Sequence, residues 1–147
     1  MKSAVLVDMD GTLADVSSMR HYVKGDRKDF DRFHKSACLF APVNEEVREY
    51  LRDASEMGTA VLIVTARKRM WGDLTKQWLD KHRIPYDRIY MRANNDQRKD
   101  YLVKKDILAR IHSQGYNVVM AIDDNPNVIK LWESEGIDTW IIPGWED

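Results

Sequence analysis

Cysteine is nearly absent: Cys38 is the only one in 147 residues. No intrachain disulfide is possible, and a reducing cytoplasm is the expected setting. Long apolar runs are also missing. None approaches the length of a membrane span, so no membrane association is expected. The first apolar stretch, "AVLV", stops at Asp8 and is too short for the core of a signal peptide. Excess charge of either sign is lacking, since 23 Lys+Arg against 24 Asp+Glu leave a formal net charge of -1. That balance excludes a generally basic nucleic-acid binder and leaves room for a local basic groove. There is no repeat and no low-complexity segment.

What remains is an ordinary folding chain. It is 44% hydrophobic and 32% charged, enough to bury a core and stay soluble. Its length fits one domain over 1–147. A chain of this size buries roughly two-thirds of its unfolded surface.

Local patterns alternate between strand and helix. Ala4 to Val7 reads as a short buried strand. Asn44 to Gly58 reads as a helix, with Asn44 as N-cap, Val47, Leu51 and Ala54 on one face, and Gly58 as its stop. The β-branched run "TAVLIVT" (59–65) suits a strand covered on both faces. "DLTKQWLDKHRIP" predicts a helix ending near Pro85, and "DRIYMR" (87–92) a short strand. A helix over about Asp100 to Ser113 is followed by the strand "NVVMAI" (117–122). Asn125-Pro126 opens another helix, since the missing proline N–H is not needed there. "IDTWII" (137–142) is the last strand. This order predicts an α/β fold with a mostly parallel sheet of about five strands flanked by helices.

In such sheets ligands sit beyond the carboxyl ends of the strands. After the first strand come Asp8 and Asp10, in "VLVDMDGTL". Two carboxylates that close repel, and burying them is costly unless something compensates. They form either a solvated turn or a holder for a positive group. After the second strand come Thr65, Ala66 and Arg67, and after the fourth come Asp123 and Asp124. Lys104 lies on the helix before that strand. Alone, each signal is bland: Asp10-Gly11 is a turn, "DDNP" a helix cap, Lys104 a surface lysine. Together they place two acidic pairs, a hydroxyl and two cations at one sheet edge. Spacing excludes an EF-hand loop, which needs glycine at its sixth position and glutamate at its twelfth. Counted from Asp8, glycine is fourth and Met19 twelfth. A receiver domain is excluded too, because its acidic pair comes early and here it comes last.

"DMDGTL", "VTAR", a later lysine and "IDD" resemble the signature of the haloacid dehalogenase superfamily, whose Rossmann-like fold is therefore expected. Nearer still, "QRKDYLVKKDIL", "AIDDNPNVIKLW" and "GIDTW" are similar to the 3′-phosphatase domains of phage polynucleotide kinases. The likeness covers nearly the whole chain and is best in 3–15, 58–68 and 96–141. It implies a Mg²⁺-dependent phosphatase working through an aspartyl-phosphate. Asp8 would be the nucleophile. Asp10 would be the general acid and base, touching the metal through its backbone carbonyl. Asp8, Asp123 and Asp124 would complete the metal site. Thr65 and nearby N–H groups, Ala66 included, would hold phosphoryl oxygens, and Lys104 would stabilise charge. "VKKD" offers Lys104 and Lys105, and spacing from "RKD" selects Lys104. Arg67 and Arg20 would contact substrate phosphate, and Asp100 would orient Lys104 or Arg67.

The segment 15–43 is too small for a cap domain. An open site suits a bulky polymer end, so 3′-phosphorylated DNA or RNA ends are the expected substrate. Arg20, His21, Lys24, Arg27, Lys28, Arg32, His34 and Lys35 alternate there with Tyr22, Phe30 and Phe33, a composition able to track a strand and stack bases. Asp26, Asp29 and Asp31 dilute that charge, and an amphipathic surface helix has the same look. A small-molecule phosphatase such as a nucleotidase is the alternative, and a non-catalytic binding domain a weaker one. No G-x-x-x-x-G-K-[ST] sequence occurs, so a separate kinase or ligase is the conceivable partner. Trp140 and Trp145, taken as exposed, are candidates for a contact in a homo-oligomer.

Overall fold

The computed structural model describes residues 1–145. Its elements, in chain order, are β1 (Lys2–Val7), α1 (Phe30–Phe40), α2 (Glu45–Glu56), β2 (Ala60–Lys68), α3 (Gly72–Lys81), β3 (Arg88–Arg92), α4 (Asp100–Ser113), β4 (Tyr116–Asp123), α5 (Pro126–Ser134) and β5 (Thr139–Ile141). Short 3-10 turns cover Ser17–Val23 and Arg69–Trp71. The five strands form one parallel sheet in the order β3-β2-β1-β4-β5. The chain runs outward through β2 and β3, then returns to lay β4 on the other side of β1. The crevice at that reversal lies at the carboxyl ends of β1 and β4.

The apolar runs are explained by burial on both faces. Val5, Val7, Val61 and Ile63 meet α1, α2 and α3 through Phe33, Ala37, Val47, Leu51, Trp78 and Leu79. Ala4, Leu6, Ala60 and Leu62 face the other way, against Val103, Ile107 and Ile111 of α4 and Val128 and Trp132 of α5. Two helices begin as local chemistry dictates. The Asn44 side chain accepts from the N–H groups of Glu46 and Val47. Asn125 accepts from Asn127, with Pro126 opening the helix.

Differences from the expected elements are confined to ends and to the insertion. β2 runs on to Lys68, and β5 shrinks to three residues. α3 stops at Lys81, short of Pro85, and Arg83 takes a positive φ of 56° in the turn. Within 15–43, α1 is an amphipathic helix that buries Phe33, Ala37 and Cys38. Trp140 is not exposed as expected: it is half-buried, edge-on to Tyr50 at 5.5 Å. Trp145 is 38% exposed. Among the described residues no helix is long and apolar enough to cross a membrane.

Candidate active site

Asp8 follows β1 directly, and a turn closes behind it. Gly11 holds φ at +82°, and a Cβ there would lie 2.1 Å from Asp124 Oδ2. Only glycine lets this turn pass so close to β4's acidic pair. Thr12 donates its hydroxyl to Asp8 Oδ2 at 3.2 Å, and its oxygen lies 3.4 Å from Asp124 Oδ1.

Lys104 comes in from α4 and is 2% exposed. Its ammonium donates to Asp8 Oδ1 at 3.0 Å and to Asp123 Oδ2 at 2.6 Å. Asp123 is held in place by the N–H groups of Asp124 (2.9 Å) and Asn125 (3.1 Å), both donating to Oδ1. Asp124 pairs with Arg20 across 3.3 Å. Lys105, the neighbouring candidate, is exposed. The sequence order thus resolves into one cluster: three carboxylates, an ammonium and a guanidinium at the crevice.

The charges show what the cluster lacks. Burial, then the Asp123 carboxylate, pushes the Asp8 carboxyl well above its ordinary range. Asp124 is pushed up to about 6, by burial first and Asp123 second. Burial opposes the charge on Lys104, but Asp123 and Asp8 overcome it and hold the ammonium charged. One more positive group would relieve the remaining repulsion. Ligand oxygens of Asp8, Asp123 and Asp124 lie within 4.8 Å of one another. An all-oxygen, acid-rich donor set of this spacing fits a hard divalent cation.

Asp10 turns away from that cluster. Its carboxylate takes a two-pronged pair from Arg67, Nε to Oδ2 at 3.0 Å and Nη2 to Oδ1 at 2.6 Å. Burial alone would raise the Asp10 pKa, yet Arg67 outweighs it and the pKa is lowered. His34 Nε2 of α1 lies 3.7 Å from Asp10 Oδ2, and burial lowers its pKa. Thr65 is buried and accepts from the Arg67 N–H at 3.1 Å, so its own O–H is left to donate.

Two expected contacts are corrected. Arg67 does not reach outward to substrate: it is wholly buried, and Nη1 donates to Thr75 Oγ1 at 3.0 Å. A buried guanidinium must satisfy its fork from inside, and Asp10 supplies the matching carboxylate. Asp100 binds neither Lys104 nor Arg67. It accepts from Arg92 Nη2 at 2.6 Å. Arg92 Nε in turn donates to the Ala66 carbonyl at 3.0 Å. Thr12, Thr75 and Arg92 were not among the residues picked out from the sequence, and His34 was named there only as one of the insertion's basic residues, not as a neighbour of Asp10. Thr12 lies inside the quoted "DMDGTL" and was visible there; Thr75 and Arg92 carry no local signal.

Known proteins place this geometry. Residues 2–143 match the family described as polynucleotide kinase PNKP phosphatase domain. A putative bifunctional polynucleotide kinase/RNA ligase of Autographa californica nuclear polyhedrosis virus is 27% identical over 139 residues, which are 92% of this chain and 18% of that protein. A chain in the structure of the Pnkp1/Rnl/Hen1 RNA repair complex is 26% identical, with a TM-score of 0.82 over 97% of this chain and 42% of its own length. The class C acid phosphatase from Bacillus anthracis shares the fold, with a TM-score of 0.70 at 18% identity over 97% of this chain and 66% of that one. The chain therefore spans about a fifth of the viral relative and less than half of the repair-complex chain.

Proposed function

The chain belongs to the PNKP phosphatase-domain family, on the haloacid dehalogenase fold, and from that membership we propose that it is a Mg²⁺-dependent phosphatase that removes the 3′-phosphate from DNA or RNA ends. The observation that carries this reading is the Asp8–Lys104–Asp123 cluster, with Asp124 beside it, at the carboxyl edge of the sheet.

In this reading an Asp8 carboxylate oxygen attacks phosphorus. The P–O bond to the 3′ oxygen breaks, and Asp10 gives that oxygen its proton. Water then attacks the aspartyl-phosphate, Asp10 takes a proton back, and inorganic phosphate leaves. Arg67 fixes the direction of Asp10 and keeps it a ready base, which makes the acid half of the cycle the demanding one. Lys104, Arg20, the Thr65 hydroxyl and backbone N–H groups after it are assigned to the phosphoryl oxygens. Mg²⁺ would be held by Asp8, Asp123, Asp124 and the Asp10 carbonyl, and would supply the missing positive charge and Lewis acidity. Asp100 acts at a distance, through Arg92.

One observation favours a second reading, a nucleotidase. A cleft of about 510 Å³ opens beside Gly11, Thr12 and Arg20, walled by Val43, Trp140 and Pro143. That falls within the usual size of small-molecule sites, roughly 300–1,000 Å³. Phosphate release should therefore be measured, with Mg²⁺ and with EDTA, from a 3′-phosphorylated oligonucleotide, its 5′-phosphorylated counterpart and a nucleoside 3′-monophosphate. Mg²⁺-dependent release from the oligonucleotide 3′ end alone supports end processing. Equal or faster release from the mononucleotide transfers the protein to the nucleotidase reading. A kinase or ligase acting on the same ends is the partner class this reading implies.

A further inference from the structure

β3 lies at the edge of the sheet, paired on one side only. A shallow groove of about 220 Å³ lies against it, lined by Arg69, Gly72 and Lys76 at the start of α3, Tyr90 and Met91 of β3 and Arg110 of α4. Every charged group in that lining is a cation. Near the crevice Arg20, Arg67, Arg92, Arg98 and Lys104 all sit in ion pairs, whereas other exposed cations such as Lys2 and Lys130 stand apart from one another on the surface. Arg69, Lys76 and Arg110 are exposed and enter no ion pair among the described residues. Asp106, one turn before Arg110, is already taken by Arg98. In a chain of net charge -1, three such cations beside one aromatic ring are a local reversal of sign.

We propose that this groove is a track for the phosphate backbone of a single-stranded polynucleotide whose 3′ end lies in the active site. The proposal rests on the reading of that site as an end-processing phosphatase. The groove begins where the site ends. Arg69 follows Thr65 by four residues of extended chain, about 13 Å at ~3.3 Å per residue. From there Lys76 on α3 and Arg110 on α4 continue the charge away from the crevice. The unpaired side of β3 adds backbone groups, and the guanidinium of Arg110 already lies over the Tyr90 ring at 5.7 Å. Uncompensated cations in a row bind phosphates without reading sequence and release counterions. The insertion, with Asp26, Asp29 and Asp31 among its basic residues, has no comparable unmixed stretch.

The test compares the wild type with Arg69→Ala/Lys76→Ala/Arg110→Ala, with Arg69→Glu/Lys76→Glu in case loss of Arg110 unsettles Tyr90, and with Lys2→Ala/Lys130→Ala as a charge control. Binding of a fluorescent single-stranded oligonucleotide is read by anisotropy across a salt series, and phosphate release is read on that oligonucleotide carrying a 3′-phosphate and on a nucleoside 3′-monophosphate. The groove variants are expected to bind the oligonucleotide at least about tenfold more weakly, with a log Kd against log salt slope shallower by about 2 for the triple variant. Their kcat/KM on the mononucleotide should stay at the wild-type value, and the control should match the wild type throughout. Unchanged oligonucleotide binding overturns the proposal, as does an equal fall for oligonucleotide and mononucleotide. Groove-dependent binding without release of the 3′-phosphate would keep the track and remove the 3′-phosphatase reading instead.

Discussion

Replacing Arg67 by methionine removes one guanidinium and exposes the electrostatics of the whole acid–base half of the site. Arg67 is wholly buried, with two contacts to Asp10 and one to Thr75. Taking away one partner of a buried pair costs about 3–5 kcal/mol, because the carboxylate left behind is neither hydrated nor paired. Arg67→Met alone should therefore lose stability of that order. Neutralising the orphan should restore much of it, so Asp10→Asn/Arg67→Met is expected to be more stable than the sum of the single changes by about 2–3 kcal/mol, well beyond the ~0.5 kcal/mol seen for independent sites. Urea denaturation in EDTA, followed by tryptophan fluorescence, gives the four free energies of the cycle. The pH dependence has a definite sign. In the wild type the Asp10 pKa is lowered, so its contribution is present above the unfolded value of about 3.9 and is lost as pH falls through the folded value. In Arg67→Met only burial remains as the dominant influence, the folded pKa rises, and stability falls as pH rises. The gap between the two proteins should widen as pH climbs above about 4. Additive single changes, or a gap that is flat with pH, would refute the reasoning.

Four further outcomes are expected. Asp8→Asn should abolish phosphate release while leaving thermal stability in EDTA unchanged or raised by about 1 kcal/mol, since it removes a buried charge repelled by Asp123; a clear loss of stability counts against the repulsion argument. Mg²⁺ should raise the wild-type Tm and raise that of Asp123→Asn less, as follows from binding to the folded state alone, and equal shifts in scanning calorimetry would place the ion elsewhere. Gly11→Ala combines a positive φ with a clash on Asp124, so a cost of at least about 2 kcal/mol and a fall in Tm of roughly 4–8 °C are expected; an unchanged Tm would mean the turn is not as tight as described. Arg92→Met and Asp100→Asn should each lower kcat/KM, with the double variant no worse than the more impaired single one, because both act through one link; multiplicative losses would separate their roles.

Much of the fold was legible because its determinants are local. Asn44 and Asn125-Pro126 announce helix starts from side chains two or three residues away. The unbroken runs of β1 and β2 announce burial on both faces. The acidic cluster was legible for a different reason: parallel topology brings the residues after successive strands to one edge, so Asp8, Thr65 and Asp123 are predictable neighbours from strand order alone. α1 was legible only as one of two readings of the insertion, an amphipathic surface helix or a strand-tracking basic segment. Its buried face is only Phe33, Ala37 and Cys38, too short a stripe to decide between them. Arg67 was legible as a site residue and illegible in direction, because an arginine after a strand can face solvent or the interior. Its direction is decided by where an unpaired buried carboxylate lies, and that is a property of the packed molecule.

Asp100 illustrates the same limit one step further out. The resemblance assigned Asp100 to orient Lys104 or Arg67, and its place four residues before Lys104 on a helix agrees with the first of these. The packed structure gives Lys104 two better acceptors inside the crevice, Asp8 and Asp123, and draws it away. Asp100 is left at the first turn of α4, where Arg92 arrives from the end of β3. That guanidinium also donates to the carbonyls of Ala66 and Asp96. One buried cation thereby ties the end of β2, the strand that carries Thr65, to the start of the helix that carries Lys104. The two groups assigned to the phosphoryl oxygens sit on different elements with no direct bond between them. The apolar packing of β2 on α4 sets their relative position, and Arg92 braces it at the crevice end.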